Sequence, residues 1–280
     1  MTKEIENEMR STYAASKRKW RIVVILWVVA VALATLTAAP LPRPIAVLAN
    51  ILTFTCAIAT YGFRWWAESL YQTAESLRRT ILLADGLGEA VDPAELARLR
   101  ADASEVASAD PLPIGRYYTS ERERGWFRAL HNVQESAFYT GSLARRAGWL
   151  CAGAVVVPLL AALLLLFVVS NVPAELDASH VAGSVVMGCV TAIVGGALAD
   201  VARSYFALAR AANVCVDTTR ALLALPDVSI RDAIKALDAY DAALAIAPPI
   251  PTFIYSRKQA RLDRVWRESH APAIRAGGPA

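Results

Sequence analysis

The sequence predicts an all-α integral membrane protein, with four transmembrane helices arranged as two hairpins and helical extensions on the cytoplasmic side. Three observations predict it. Of 280 residues, 56% are hydrophobic and the mean hydropathy is +0.37, too apolar for an ordinary soluble domain of this length. Four apolar stretches occur as two close pairs, each near the roughly 20 residues an α-helix needs to cross a bilayer. Lysine and arginine crowd the segments outside those pairs, with counts of 6, 1, 11, 0 and 11 before, between and after the four stretches.

The N-terminal segment, residues 1–21, ends in the basic cluster Lys17-Arg18-Lys19-Trp20-Arg21. An apolar run from Ile22 to Ala39 follows and reads as a retained anchor, because the next apolar segment starts at Ile45, only a few residues after the Thr37-Ala38-Ala39 cleavage-like site. Pro40, Pro42 and Pro44 cannot continue a helix, so they turn the chain into a second span from Ile45 to Phe63. Residues 22–63 are thus hairpin one. Asn50, Thr53, Ala57, Thr60 and Arg64 fall on one face of the second span. Polar groups in lipid must face protein or water, so this stripe turns inward. Two readings fit it: a pore lining, or threonines bonded back to their own helix with Asn50 joining two helices.

Residues 64–147 form a cytoplasmic helical region. Arg64-Trp65-Trp66 marks the inner interface, and a helix from Glu68 to about Ala84 presents Leu70, Ala74, Leu77 and Ile81 on one face, with Gly86 and Gly88 at its end. Asp92-Pro93 opens a short helix to about Ala107, and residues 109–115 form a loop. Ser120 and Glu123 are spaced as a capping box for a helix that runs toward Gly141 with Trp126, Leu130, Val133 and Ala137 inward. Arg116, Tyr117, Tyr118, Arg122, Arg124 and Arg128 cluster here. Arginines give bidentate donors and tyrosines give stacking faces, so the cluster suits a phosphate-bearing nucleotide, and it equally suits anionic lipid at the membrane surface.

Hairpin two spans 148–202. Its first helix, Trp149 to Ser170, is almost wholly apolar, with Pro158 as a predicted kink. Ten polar residues, Asn171 to His180, lead into a span from Val181 to about Ala202. Ser184, Gly188, Thr191 and Gly195 form a small, weakly polar stripe on it, open to either close helix packing or pore lining, and Asp200 and Arg203 sit at its inner end, paired or ringing a pore mouth. The charge counts put both short loops outside and both termini in the cytoplasm. The region 203–280 continues helical to Leu225 and breaks at Pro226. Helix resumes from Ser229 with Ile234, Leu237 and Leu244 on one side, then an extended Ala247–Tyr255 segment precedes a final basic helix around Leu262 and Trp266.

No H-E-x-x-H, P-loop, nucleophile elbow or G-x-G-x-x-G after a strand is present. His131, His180 and His270 lie far apart, and Cys56, Cys151, Cys189 and Cys215 make no C-x-x-C pair. These absences argue against an enzyme and point to no catalytic residue, metal or cofactor.

Tyr13-Ala14-Ala15-Ser16-Lys17 before span one, Tyr117-Tyr118 with Asn132-Val133-Gln134-Glu135-Ser136-Ala137-Phe138-Tyr139 before span three, and Pro249-Ile250-Pro251-Thr252-Phe253-Ile254-Tyr255 with Trp266 occur in an order that resembles the SMODS-associating four-transmembrane effectors. These are pore-forming proteins of bacterial anti-phage defence. The resemblance covers nearly the whole chain. It implies an inner-membrane homo-oligomer, triggered by a cyclic nucleotide or oligonucleotide, that permeabilises the membrane in abortive infection, with no duplex nucleic acid as partner. Spans two and four would line its path through Asn50, Thr53, Thr60, Ser184, Thr191 and Asp200. A non-conducting membrane scaffold or sensor that docks a cytoplasmic partner is the alternative.

Overall fold

The computed structural model describes residues 2–36, 42–88, 92–103, 118–120, 122–170, 198–226 and 228–276. Among them there are seven helices and no strand: α1 (Thr2–Leu36), α2 (Arg43–Leu87), α3 (Pro93–Asp102), α4 (Trp126–Ser170), α5 (Leu198–Leu223), α6 (Ile230–Ile246) and α7 (Thr252–Ala276).

The expected boundaries between membrane and cytoplasmic segments at 21/22, 63/64 and 147/148 fall inside α1, α2 and α4. Each of these helices is one unbroken rod, because no proline or glycine pair stands at the change from polar to apolar sequence. Gly141 and Gly148 do not interrupt α4. They let α5 approach, and a Cβ on Gly148 would meet the Phe206 ring at 2.9 Å. Pro158 lies within α4 as helix.

One core joins all seven helices at the end of the molecule where the sequence is mixed polar and apolar. Ile5 and Met9 of α1 meet Leu77, Ile81 and Leu82 of α2, Leu96 and Leu99 of α3, Val133 and Ala137 of α4, Leu208 and Ala212 of α5, Tyr240 and Leu244 of α6, and Ile254 and Leu262 of α7. Burial of this many apolar side chains, each worth about 1.5–3 kcal/mol for the larger ones, is what holds the helical body together. The α1–α2 and α4–α5 pairs are the most extensively packed among the described residues, and Ser16 Oγ donates to the Ala67 carbonyl at 2.8 Å to set the α1–α2 level.

Beyond the body the surface changes character. Val24, Ile25, Val28 and Leu36 on α1, Leu48, Ile51, Phe54 and Ile58 on α2, and Leu150, Val157, Leu160 and Phe167 on α4 are all exposed. Two helices, within Ile5–Leu36 and Arg43–Leu87, are long and apolar enough to cross a membrane by length and composition. Their apolar stretches have mean hydropathies of 2.0 and 1.7, and only 11% and 6% of them is buried. Most of span four lies outside the described residues, as do the 109–115 loop and Asn171 to His180.

Several local expectations are corrected. Ser120 does not cap a helix: α4 starts at Trp126, and Ser120 is buried with its hydroxyl unpartnered among the described residues. The short helix α3 ends at Asp102, with Asp92 Oδ1 accepting from the Ala94 amide at its start. In α6 the inward stripe is Ala233, Leu237, Tyr240 and Leu244, while Ile234 is exposed. The extended segment after α6 is shorter than expected, because α7 begins at Thr252. Gly88 ends α2 in the left-handed conformation at φ 75°, its N–H bonded to the Ala84 carbonyl.

Candidate functional site

A tightly constrained polar arrangement lies where α2, α4 and α6 meet. Arg78 of α2 stands in the register of the apolar stripe and is only 4% exposed. A buried guanidinium needs charged and hydrogen-bonding partners to be tolerated. It has them on three helices: Nε donates to Glu75 Oε2 at 2.6 Å, Nη1 to Ser136 Oγ of α4 at 3.1 Å, and Nη2 to Asp241 Oδ1 of α6 at 3.0 Å. The Tyr240 ring sits 5.6 Å from its Cζ, and the Tyr240 hydroxyl donates to Thr140 Oγ1 at 2.8 Å. Arg79 adds an outer pair, with Nη2 to Asp238 Oδ1 at 2.9 Å and Nε 3.5 Å from Asp241 Oδ2.

The electrostatics follow from this geometry. Burial opposes the Arg78 charge, but the Glu75 carboxylate and the surrounding tyrosines more than offset it and hold the guanidinium protonated. Burial raises the Asp241 carboxyl above its ordinary range, with Arg78 and Arg79 pulling the other way. The Tyr240 and Tyr71 hydroxyls are also raised by burial and stay neutral.

Two further ties hold the helical body together. Arg128 of α4 grips Asp85 of α2 through Nε–Oδ2 at 3.0 Å and Nη2–Oδ1 at 2.6 Å, Asn132 donates to the same carboxylate at 2.9 Å, and the Gly125 amide donates to the Gly86 carbonyl at 2.7 Å. On the other side of α4, Trp266 of α7 packs on His131 and Phe138 with ring centroids 5.6 and 5.3 Å away. Its Nε1 donates to Thr119 Oγ1, which donates in turn to Glu135 Oε2 at 2.8 Å, and the Thr119 amide donates to the same oxygen. Tyr139 completes this seam by donating to Asp263 at 2.8 Å.

The predicted site residues are placed as follows. Asn50 is exposed, while Thr53 and Thr60 are half-buried and donate to the Ala49 and Cys56 carbonyls of their own helix at 2.8 and 2.7 Å. Asp200 is exposed in the first turn of α5, and it makes no ion pair with Arg203 among the described residues. Ser184 and Thr191 lie outside the described residues, as do Arg116 and Tyr117. Tyr118 is 4% exposed and belongs to the core, so its ring face is occupied by packing. Arg122 and Arg124 are exposed; the Arg122 carbonyl accepts from Arg128 Nη1 at 3.0 Å, and the Arg124 chain lies against Gly88. No group of His, Cys, Asp and Glu suited to a metal occurs among the described residues.

Sequence reasoning missed Arg78. The available signal was its register: Ala74, Leu77, Arg78 and Ile81 follow the i, i+3, i+4, i+7 spacing of one helix face, so a charge there faces the core. The chain matches no known family model, no curated protein and no solved structure.

Proposed function

We propose that this chain is a pore-forming effector of the bacterial inner membrane, acting in anti-phage defence when a nucleotide second messenger reaches its cytoplasmic body. It has four spans with both termini cytoplasmic, and it works as a homo-oligomer, since four helices from one chain enclose little beyond their own side chains. The observation that carries this reading is the continuity of α1, α2 and α4 from a buried body into exposed apolar rods. A change in packing around Arg78 or Asp85 has no hinge in which to dissipate, so it moves the apolar ends. The exposed arginines Arg122 and Arg124, with Arg116 and Tyr117 before them, are the proposed entry for the trigger.

The test is reconstitution in liposomes and dye release against a panel of cyclic nucleotides. Release with one nucleotide and none with the others supports the proposal. No release with any, from protein that is correctly inserted, overturns it.

A second reading, a non-conducting scaffold or sensor that docks a cytoplasmic partner, is favoured by the Thr53 and Thr60 hydroxyls, which are bonded within their own helix. It predicts no leakage and stable co-purification with a cytoplasmic protein partner.

A further inference from the structure

We infer that α4 and α5 together carry a binding site for the headgroup of an anionic phospholipid, centred on the Trp149–Phe206 pair. The inference rests on the membrane reading, which supplies the bilayer, but not on pore formation.

Three features converge. Gly148 lacks a Cβ where one would stand 2.9–3.1 Å from the Phe206 ring, so Phe206 lies directly against α4 and meets Trp149 edge-on at 5.4 Å. Trp149 is nonetheless 68% exposed. It stands at the change from the mixed sequence of the body to the exposed apolar surface of Leu150, Val156, Val157 and Leu160, which is the depth an indole prefers.

Three exposed arginines stand one helical turn from the ring pair. Arg145 precedes Trp149 by one turn on the same face of α4, and Arg203 and Arg210 flank Phe206 by one turn on either side on α5. None of the three has an ion-pair partner among the described residues, although Asp200, one turn before Arg203, is the nearest acid in sequence. Arg78, Arg79, Arg100 and Arg128 hold carboxylates of the body and are not available to this site. Unpaired guanidiniums beside an interfacial indole and a lipid-facing apolar wall match a phosphodiester above two acyl chains.

The experiment uses the full chain in phosphatidylcholine vesicles that contain a minor fraction of brominated lipid, either phosphatidylglycerol or phosphatidylcholine. Trp149 fluorescence is taken as wild type minus Trp149→Phe. The expected result is stronger quenching by the brominated phosphatidylglycerol, corresponding to a local enrichment of about fivefold. The triple variant Arg145→Gln, Arg203→Gln, Arg210→Gln removes the excess, and the matching lysine triple retains most of it. Equal quenching by the two lipids overturns the headgroup site while leaving the membrane reading intact. An excess that survives the glutamine triple overturns the assignment to these arginines. Absence of quenching by either lipid overturns the membrane reading itself.

Discussion

Arg78 of α2 donates through Nη2 to Asp241 of α6 at 3.0 Å, with both side chains at least four-fifths removed from solvent. The pair joins the long helix α2 to the C-terminal part of the body across 163 positions of sequence. Because the same guanidinium also bonds Ser136 on α4, three helices depend on one cation. Removing it leaves Glu75 buried without its cation and Asp241 with only Arg79, 3.5 Å away. Arg78→Met is expected to destabilise the protein by about 3–5 kcal/mol, whereas Arg79→Met, at a largely exposed pair, costs about 1 kcal/mol or less. Thermal unfolding in detergent measures both. Similar losses at the two positions would show that burial of the junction is not what matters.

Gly86 offers a test in which the sign is informative. In a free helix, Gly→Ala stabilises by roughly 1 kcal/mol. Here a Cβ would lie 2.7 Å from the Ala129 Cα and Cβ, both parts of a packed helix. Gly86→Ala is therefore expected to lower stability by about 1–3 kcal/mol through overpacking of the α2–α4 contact. A gain in melting temperature would mean that this contact is absent in solution.

Glu135 gives a pH dependence. Burial raises its carboxyl, and the two Thr119 donors pull it down less strongly. A folded pKa above the unfolded value, about 4.3, means that the group favours folding when protonated. That contribution is complete below the unfolded pKa and is lost as pH rises through the folded one. Gln keeps an acceptor for Thr119 without the charge. Glu135→Gln is expected to be as stable as the wild type, or more so, at pH 7, with any advantage shrinking on acidification toward about pH 4. A variant clearly less stable at pH 7 would show that the carboxylate is needed charged.

Cys215 is buried against α6, with Sγ 3.8 Å from the Ala236 carbonyl. Burial pushes its thiol up to about 12, with the Asp241 charge adding and Arg78 opposing. Its thiolate is then roughly three thousandfold scarcer than that of a free cysteine at neutral pH. Iodoacetamide followed by peptide mass spectrometry should find Cys215 unmodified in the folded protein and modified after denaturation. Rapid labelling under native conditions would place α6 away from α5.

Much of the architecture was legible because apolar periodicity reports the environment directly. The stripe Leu70, Ala74, Leu77, Ile81 is buried as its spacing requires, and Leu262 and Trp266 are buried on the last helix as expected, joined there by Ile254. Helix continuity was not legible at Arg21, where a polar-to-apolar switch reads as a boundary although the backbone has no reason to break. Ser120 and Glu123 carry the capping-box spacing, but the local signal lost to packing: Ser120 is buried and the helix begins at Trp126. The polar ties were the least legible part. Arg78 with Asp241, Arg128 with Asp85, and Trp266 with Thr119 join residues 163, 43 and 147 positions apart, and no local pattern encodes such separations. Of the expected ligand cluster, Tyr118 was read as a stacking face because its sequence neighbours are basic, whereas the core takes its ring.

The central claim is that the helical body lies in the cytoplasm and that two hairpins cross the membrane from it. The most direct measurement is labelling of single cysteines by a membrane-impermeant maleimide on intact cells, in a background with Cys56, Cys151, Cys189 and Cys215 replaced by alanine. Asp177→Cys should label from outside, and Arg122→Cys should label only after the membrane is opened. Labelling of both positions from the same side would contradict the account.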